Sequence, residues 1–197
     1  MRVDSPIEPL LLDIPEKIPT PRLRLVVPGP GDGARIYPAV KESLEQLKPW
    51  MPWATDQYSG RDAEIWCRKA RGQFHLREQT QYMILDCASG EHLGNVGMFK
   101  FRWDVRAGEI GYWLRSDRTG RGLMTEAVVT LRDYFVNQHR FRRIELRCDD
   151  RNTRSARVAE RGGFTLEGIV RSDCMGTDGD VRNTRIYAFI PPPPDAP

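Results

Sequence analysis

Three segments of alternating or mostly apolar residues follow one another at 81–86, 92–102 and 107–114, separated only by residues 87–91 and 103–106. Links this short close hairpins, whereas a parallel crossover needs about a dozen residues or more. The middle of the chain is therefore expected to be an antiparallel meander. A dinucleotide-type sheet, in which each strand is followed by a helix, is left only as a runner-up there.

The remaining elements arrange themselves around that block. Residues 22–27 alternate as a strand and end at a Pro-Gly cluster, after which Asp32 is expected to cap a helix over 33–47. A Trp- and Pro-rich loop, KPWMPWA, leads to a second helix capped by Asp62 and running to about Arg77, with Ile65, Trp66, Ala70 and Phe74 along one side. After the meander, Met124, Ala127, Val128, Leu131 and Phe135 mark one face of a third helix. A strand over 141–148 and a short helix over 152–161, closed by Gly162-Gly163, come next, then strands over 164–171 and 181–190. The order β-α-α-β-β-β-α-β-α-β-β gives an α/β (α+β) fold, with a mixed, mostly antiparallel central sheet of about seven strands flanked by about four helices. Residues 1–20, with several prolines and little periodicity, are expected to be an N-terminal arm, 21–190 the folded domain and 191–197 a Pro-rich tail.

Hydrophobic residues make up 40% of the 197 and charged ones 29%, and no apolar run approaches the length of a membrane span. The one apolar run near the start, residues 9–12, is hemmed by Glu8 and Asp13 and fails as a secretory signal, so a cytoplasmic protein without membrane partners is expected. Cys67, Cys87, Cys148 and Cys174 lie far apart, and His75, His92 and His139 form no ligand pair, so reduced thiols and no metal are expected. Net charge is only +3, but eight arginines fall within 140–161, interleaved with Glu145, Asp149, Asp150 and Glu160. Such a segment is either an ion-paired face or a binding surface for a small polyanion; nucleic acid is the less expected partner.

The stretch SDRTGRGLMTEAV, residues 116–128, sits between a strand end and a helix start. There the first helical N–H groups lack partners and the helix dipole is positive, so an anion is favoured, and glycine lets a ligand approach the backbone. Phosphate or pyrophosphate is the natural guest, with Arg118 and Arg121 on the rim. The spacing is not that of a P-loop, and Thr125 occupies the third glycine position of a dinucleotide fingerprint. A glycine turn with no ligand is the plain alternative.

LRSDRTGRGLMTEA resembles the coenzyme A pyrophosphate loop of the GNAT-type N-acetyltransferases, and GYWL before it with TEA after it is similar to the RimJ/RimL-like branch that acetylates ribosomal-protein N-termini. LKPWMPWA, GEIGYWL, RNTRSARVAERGGFTLEG and VRNTRIYAFI carry the resemblance over almost the whole chain. Two positions depart from the loop pattern, Thr119 where Gln or Arg is usual and Met124 where Gly or Ala is usual. The resemblance implies a GNAT-like fold, acetyl-CoA as cosubstrate, pyrophosphate over Gly120, Arg121, Gly122, Leu123 and Met124, and the pantetheine arm along Tyr112, Trp113 and Leu114. Arg118, Thr125 and Asn152 complete the implied cofactor-binding set.

Acetyl transfer to an amine needs a neutral nucleophile, stabilisation of an oxyanion, and a proton for the departing thiolate. An α-amino group, with a pKa near 8, is roughly a tenth neutral at pH 7, while a lysine amine is neutral less than about one time in a thousand. A protein or peptide N-terminus is thus the expected acceptor; a small-molecule amine (aminoglycoside or polyamine) and a non-catalytic CoA- or nucleic-acid-binding module are the alternatives. Glu109 is the candidate base, or else a solvated strand carboxylate. Asn152 and Ser155 read as a helix cap, and the resemblance adds coenzyme contact for Asn152 and proton donation to the thiolate for Ser155. Asp173 is a reserve base, and Cys174 reads as a packed thiol. Trp50 and Trp53 either line the acceptor groove or plug the core edge. Self-association as a homodimer stays open.

Overall fold

The computed structural model describes residues 8–192, so residues 1–7 of the expected arm and 193–197 of the expected tail lie outside the described residues. The elements are β1 (Lys17–Pro19), β2 (Leu23–Val26), α1 (Gly33–Leu47), α2 (Gly60–His75), β3 (Thr80–Asp86), β4 (His92–Arg102), β5 (Ala107–Leu114), α3 (Leu123–His139), β6 (Arg143–Asp149), α4 (Thr153–Arg161), β7 (Thr165–Met175) and β8 (Val181–Phe189). They build one eight-stranded sheet in the order β1-β2-β3-β4-β5-β6-β8-β7. The meander is present as expected, with β3, β4 and β5 paired antiparallel in sequence order. Only β5 and β6 run parallel, with α3 as their crossover.

Both faces of the sheet are covered, which is why residues 92–98 of β4 are buried without alternation. On one face the apolar stripe of α3, Leu123, Met124, Ala127, Val128, Leu131 and Phe135, packs with Leu25, Ile84, Val96, Met98 and Ile110. On the other, Ile36, Val40 and Leu44 of α1 and Ala63 and Cys67 of α2 pack with Met83, Leu85 and Trp113. No helix among the described residues is long and apolar enough to cross a membrane.

Four local expectations are corrected. The sheet has eight strands rather than about seven, because Lys17–Pro19 pairs antiparallel with β2 and buries Ile18. Proline at the end of so short an edge strand costs no ladder bond that the sheet needs. The cap of α2 is Ser59, not Asp62: the Ser59 hydroxyl accepts from the Asp62 N–H at 3.3 Å while the Asp62 carboxylate accepts from the Ser59 N–H at 2.9 Å. Asp32 precedes α1 without capping it; its carboxylate accepts from Gly29 N–H instead, and Glu64 of α2 reaches over to accept from the Gly31 and Gly33 N–H groups. Finally β7 runs on to Met175, carrying Asp173 and Cys174 into the strand.

Three of the arginines of the arginine-rich segment are held by carboxylates. Arg143 holds Glu145 and Glu167, Arg147 holds Asp173, and Arg151 holds Asp149 and Asp178.

Glu126, in the first turn of α3, ties that helix to the start of β2. Its carboxylate accepts from the Thr20 hydroxyl at 2.6 Å, the Arg22 N–H at 2.9 Å and the Arg22 guanidinium at 2.6 Å. Burial raises its pKa, but these bonds from Thr20 and Arg22 more than offset the rise, and the net shift is downward from 4.5. A carboxylate held low in the folded state contributes stability above its unfolded pKa and loses it as pH falls through the folded value. Glu126→Gln is therefore expected to lower unfolding stability by about 1–3 kcal/mol at pH 7. Urea titrations of both proteins should show that gap narrowing below pH 4.5.

Candidate active site

The parallel ladder between β5 and β6 consists of Ala107 with Arg143, Gly108 with Ile144 and Glu109 with Glu145. Beyond Glu109 the strands part. β5 stays paired with β4 as far as Leu114 opposite Gly94, and β6 stays paired with β8 as far as Asp149 opposite Thr184. A wedge opens between them, and alternate N–H and C=O groups of residues 110–114 face it without a ladder partner. A cleft of about 370 Å³ occupies the wedge, lined by Trp50, Glu109, Tyr112, Asn152, Ser155 and Asp173 among others.

These cleft residues are positioned by three elements. Asn152 caps α4, its side-chain oxygen accepting from the Ser155 N–H at 3.0 Å, which fixes Ser155 in the first turn. Tyr112 of β5 reaches across to α4: its hydroxyl lies 2.8 Å from the Ser155 hydroxyl and donates to the Ser155 carbonyl at 3.2 Å. Burial pushes the Tyr112 hydroxyl well above its usual pKa, so it keeps its proton. Burial likewise raises the Cys148 thiol beside them. Glu109, its side chain 12% exposed, is held by Lys100, 64% exposed, at 2.8 Å. Asp173 faces the cleft from β7; a hydrogen bond with Thr184, with Arg147 at 3.1 Å, keeps its carboxyl below the usual range. Cys174 packs against the Arg182 guanidinium at 3.1 Å.

Sequence reasoning missed two features of the cleft. One is the Tyr112 side chain, valued only for its backbone. The other is Asp149, whose buried carboxylate accepts from the Arg151 N–H at 2.9 Å and from its guanidinium at 2.8 Å. The D-D-R run at 149–151 was the available signal for the second.

Past the end of β5 a tight 3-10 turn, Ser116–Arg118, leads into the glycine stretch. Gly120 and Gly122 have φ of +77° and +74°, a conformation that side-chain-bearing residues avoid, and α3 starts at Leu123. Among the described residues, no acceptor of the protein takes the N–H groups of Gly120, Arg121, Gly122, Leu123 or Met124. A Cβ built at Gly120 meets nothing within 4 Å, so the approach is open. Thr125 follows in the same helical turn. Arg118 is engaged with Glu91 and Asp117, and the Arg121 carbonyl accepts from Arg22 at 3.0 Å. The donor set therefore fits a diphosphate through main-chain groups rather than through arginine clamps.

A second, larger chamber of about 710 Å³ lies under α1 and α2, with Trp53, Tyr58, Ile65, Trp66 and Trp113 in its walls. It shares Met51, Gly111 and Tyr112 with the cleft. Gly111 is the junction: a Cβ there would meet the Phe99 ring at 2.7 Å. The structure thus separates Trp50 and Trp53, placing one in the cleft and the other in the chamber. Trp113 is fixed from behind; with the Asn95 amide turned so that its nitrogen donates to His92 Nε2 at 2.8 Å, its oxygen accepts from the Trp113 indole at 3.2 Å. Burial lowers the His92 pKa, keeping that ring neutral.

The profile of the acetyltransferase (GNAT) domain family matches residues 22–165. The chain is 35% identical to the ribosomal-protein-serine acetyltransferase of Escherichia coli over 69% of its own length and 75% of the relative's. It is also 35% identical to the probable N-acetyltransferase YjcK of Bacillus subtilis, over 58% of its length and 64% of the relative's. Among solved structures, RimL, a ribosomal L7/L12 α-N-protein acetyltransferase in complex with coenzyme A, superposes with a TM-score of 0.83 at 23% identity, covering 89% of this chain and 98% of that one. The sheet that splays after three pairs, the glycine turn at its open end and these likenesses converge: the chain belongs to the GNAT family of acetyltransferases, in its RimJ/RimL-like branch.

Proposed function

We propose that this protein transfers an acetyl group from acetyl-CoA to a primary amine, the α-amino group of a protein or peptide N-terminus, by direct attack on the thioester. The observation that carries the proposal is the meeting of two chambers at Gly111, one running along the open edge of β5 and the other open to solvent under α1 and α2. One admits the thioester arm and the other the acceptor.

In this reading the unpaired N–H groups of Gly120 through Met124, at the positive end of α3, hold the diphosphate. The unpaired edge of Tyr112, Trp113 and Leu114 lines the pantetheine arm, and an N–H of that edge polarises the thioester carbonyl. The amine nitrogen attacks the carbonyl carbon as the carbon–sulfur bond breaks. Glu109, on the cleft wall, receives the amine's proton through water, and Lys100 beside it stabilises the carboxylate between turnovers. Ser155 gives its hydroxyl proton to the departing thiolate and recovers one from water, with the Tyr112 hydroxyl, 2.8 Å away, holding it in place. Asn152 keeps Ser155 in place, and Asp173, committed to Thr184 and Arg147, is the weaker base.

Acceptor class is argued from the larger chamber. Its lining offers aromatic walls, Lys69 and a single carboxylate, Asp62, already bound by Ser59. A polycationic aminoglycoside or polyamine would find no carboxylate cluster there, whereas a singly charged α-amine that deprotonates on entry fits.

Two outcomes are expected. Purified protein with acetyl-CoA and N-terminal peptides releases free thiol, with kcat/KM rising to about pH 8 as the α-amine deprotonates; Ser155→Ala lowers kcat roughly a hundredfold. A CoA-binding module would release none. Gly122→Val, which forces a branched residue to φ +74°, weakens CoA binding at least tenfold by calorimetry; unchanged affinity would show that the diphosphate lies elsewhere.

A further inference from the structure

The chamber under α1 and α2 has a volume of about 710 Å³ and walls that are mostly aromatic and aliphatic. The side of it nearest Trp113 is a corner of three rings: Trp53 lies 5.6 Å from Tyr58 and 6.1 Å from Trp113, at interplanar angles of 52° and 60°. Trp53 and Ile65, both lining this chamber, have 41% and 39% of their surface exposed and so leave apolar area available to a guest. Trp113, by contrast, is immobilised by Asn95 and His92 and forms a fixed floor. Rings tilted against one another leave edge and face positions open to a further flat or branched group. The volume of about 710 Å³ exceeds by several times what a methyl or hydroxymethyl group fills.

Resting on the acetyl-transfer reading above, we propose that the acceptor is a peptide whose first residue carries a large aromatic or aliphatic side chain, such as Phe, Trp or Leu, and not Ser or Ala. That side chain occupies the corner formed by Trp53, Tyr58 and Trp113, and the amine beside it projects past Gly111 toward the thioester. Filling the corner also drives out water around the amine, which disfavours its ammonium form and presents the neutral nucleophile that attack requires.

The test is a set of peptides identical except for the first residue, Phe, Trp, Leu, Ala or Ser, assayed by thiol release with the full chain. Phe-, Trp- or Leu-first peptides are expected to exceed Ala- and Ser-first ones at least tenfold in kcat/KM. Trp53→Ala is expected to reduce that preference to about threefold or less, and Ile65→Lys, in the same chamber, to do the same. CoA affinity and thermal unfolding of each variant, measured in parallel, show that the fold and the cofactor cleft persist. Equal or better use of Ala- and Ser-first peptides, or a preference untouched by both variants, overturns the inference and leaves the acetyltransferase reading standing. Greater turnover of spermidine than of any peptide overturns it too. Thiol release from no amine at all, with CoA bound, overturns the reading on which it rests.

Discussion

Three rungs of parallel ladder, ending at Glu109 with Glu145, decide what this sheet can do. A fourth rung would close the wedge and leave no polar edge to bind anything. In its place β6 runs on paired with β8 alone as far as Asp149, and the Tyr112 side chain crosses from β5 to the first turn of α4. Leaving main-chain groups unpaired inside a protein costs about 1–3 kcal/mol each unless water or a ligand takes them. An extended amide-containing arm is the ligand that matches a half-vacant strand edge. The helix following β5 then begins where that arm would end, so the same parting of strands that makes the slot also aims the dipole of α3 at whatever lies at its mouth.

How charge is distributed follows from this arrangement. Arg115 is surrounded by Glu42, Glu91 and Asp117, Arg118 by Glu91 and Asp117, and Arg151 by Asp149 and Asp178. An arginine already paired gains little by moving to a phosphate, since the carboxylate it leaves must then be resolvated. In the proposed reading, anion binding at the glycine turn accordingly depends on fixed N–H groups, whose geometry is set by Gly120 and Gly122 and not by flexible side chains. On the same reading the loop can carry Thr119 and Met124 in place of the commoner residues, because the donors it uses are main chain and neither side chain is needed.

Much of this was legible in the residues and some was not, for physical reasons. Short links at 87–91 and 103–106 left the meander no alternative, and the α3 stripe from Leu123 to Phe135 has helical spacing throughout. Asn152 as the cap of α4 follows from local chemistry, the competition of its side chain for a nearby N–H. Ser59 was missed in favour of Asp62 because both are capping types three residues apart, and the box they form uses both. Lys17–Pro19 carries too few residues to show a period, and its pairing with β2 is a tertiary fact. The wedge itself has no local signature, since it lies between strands that are joined only through the α3 crossover. For the same reason the division of Trp50 from Trp53 could not be seen three residues apart in a loop.

Gly111 links the two halves of the site in a way that composition alone would not suggest. It stands between Glu109 and Trp113 on the same face of β5, and any side chain there would run into Phe99. With nothing but hydrogen at that point, the cleft and the larger chamber touch across one residue of backbone. In the proposed reaction, acceptor and thioester therefore approach through separate chambers without competing for one entrance. A dry approach matters more for the amine than for the thioester, because only the amine must shed a charge before it reacts. In the proposed reaction the apolar chamber does part of that work on entry, and Glu109, ion-paired with Lys100 at 2.8 Å, accepts the proton through water.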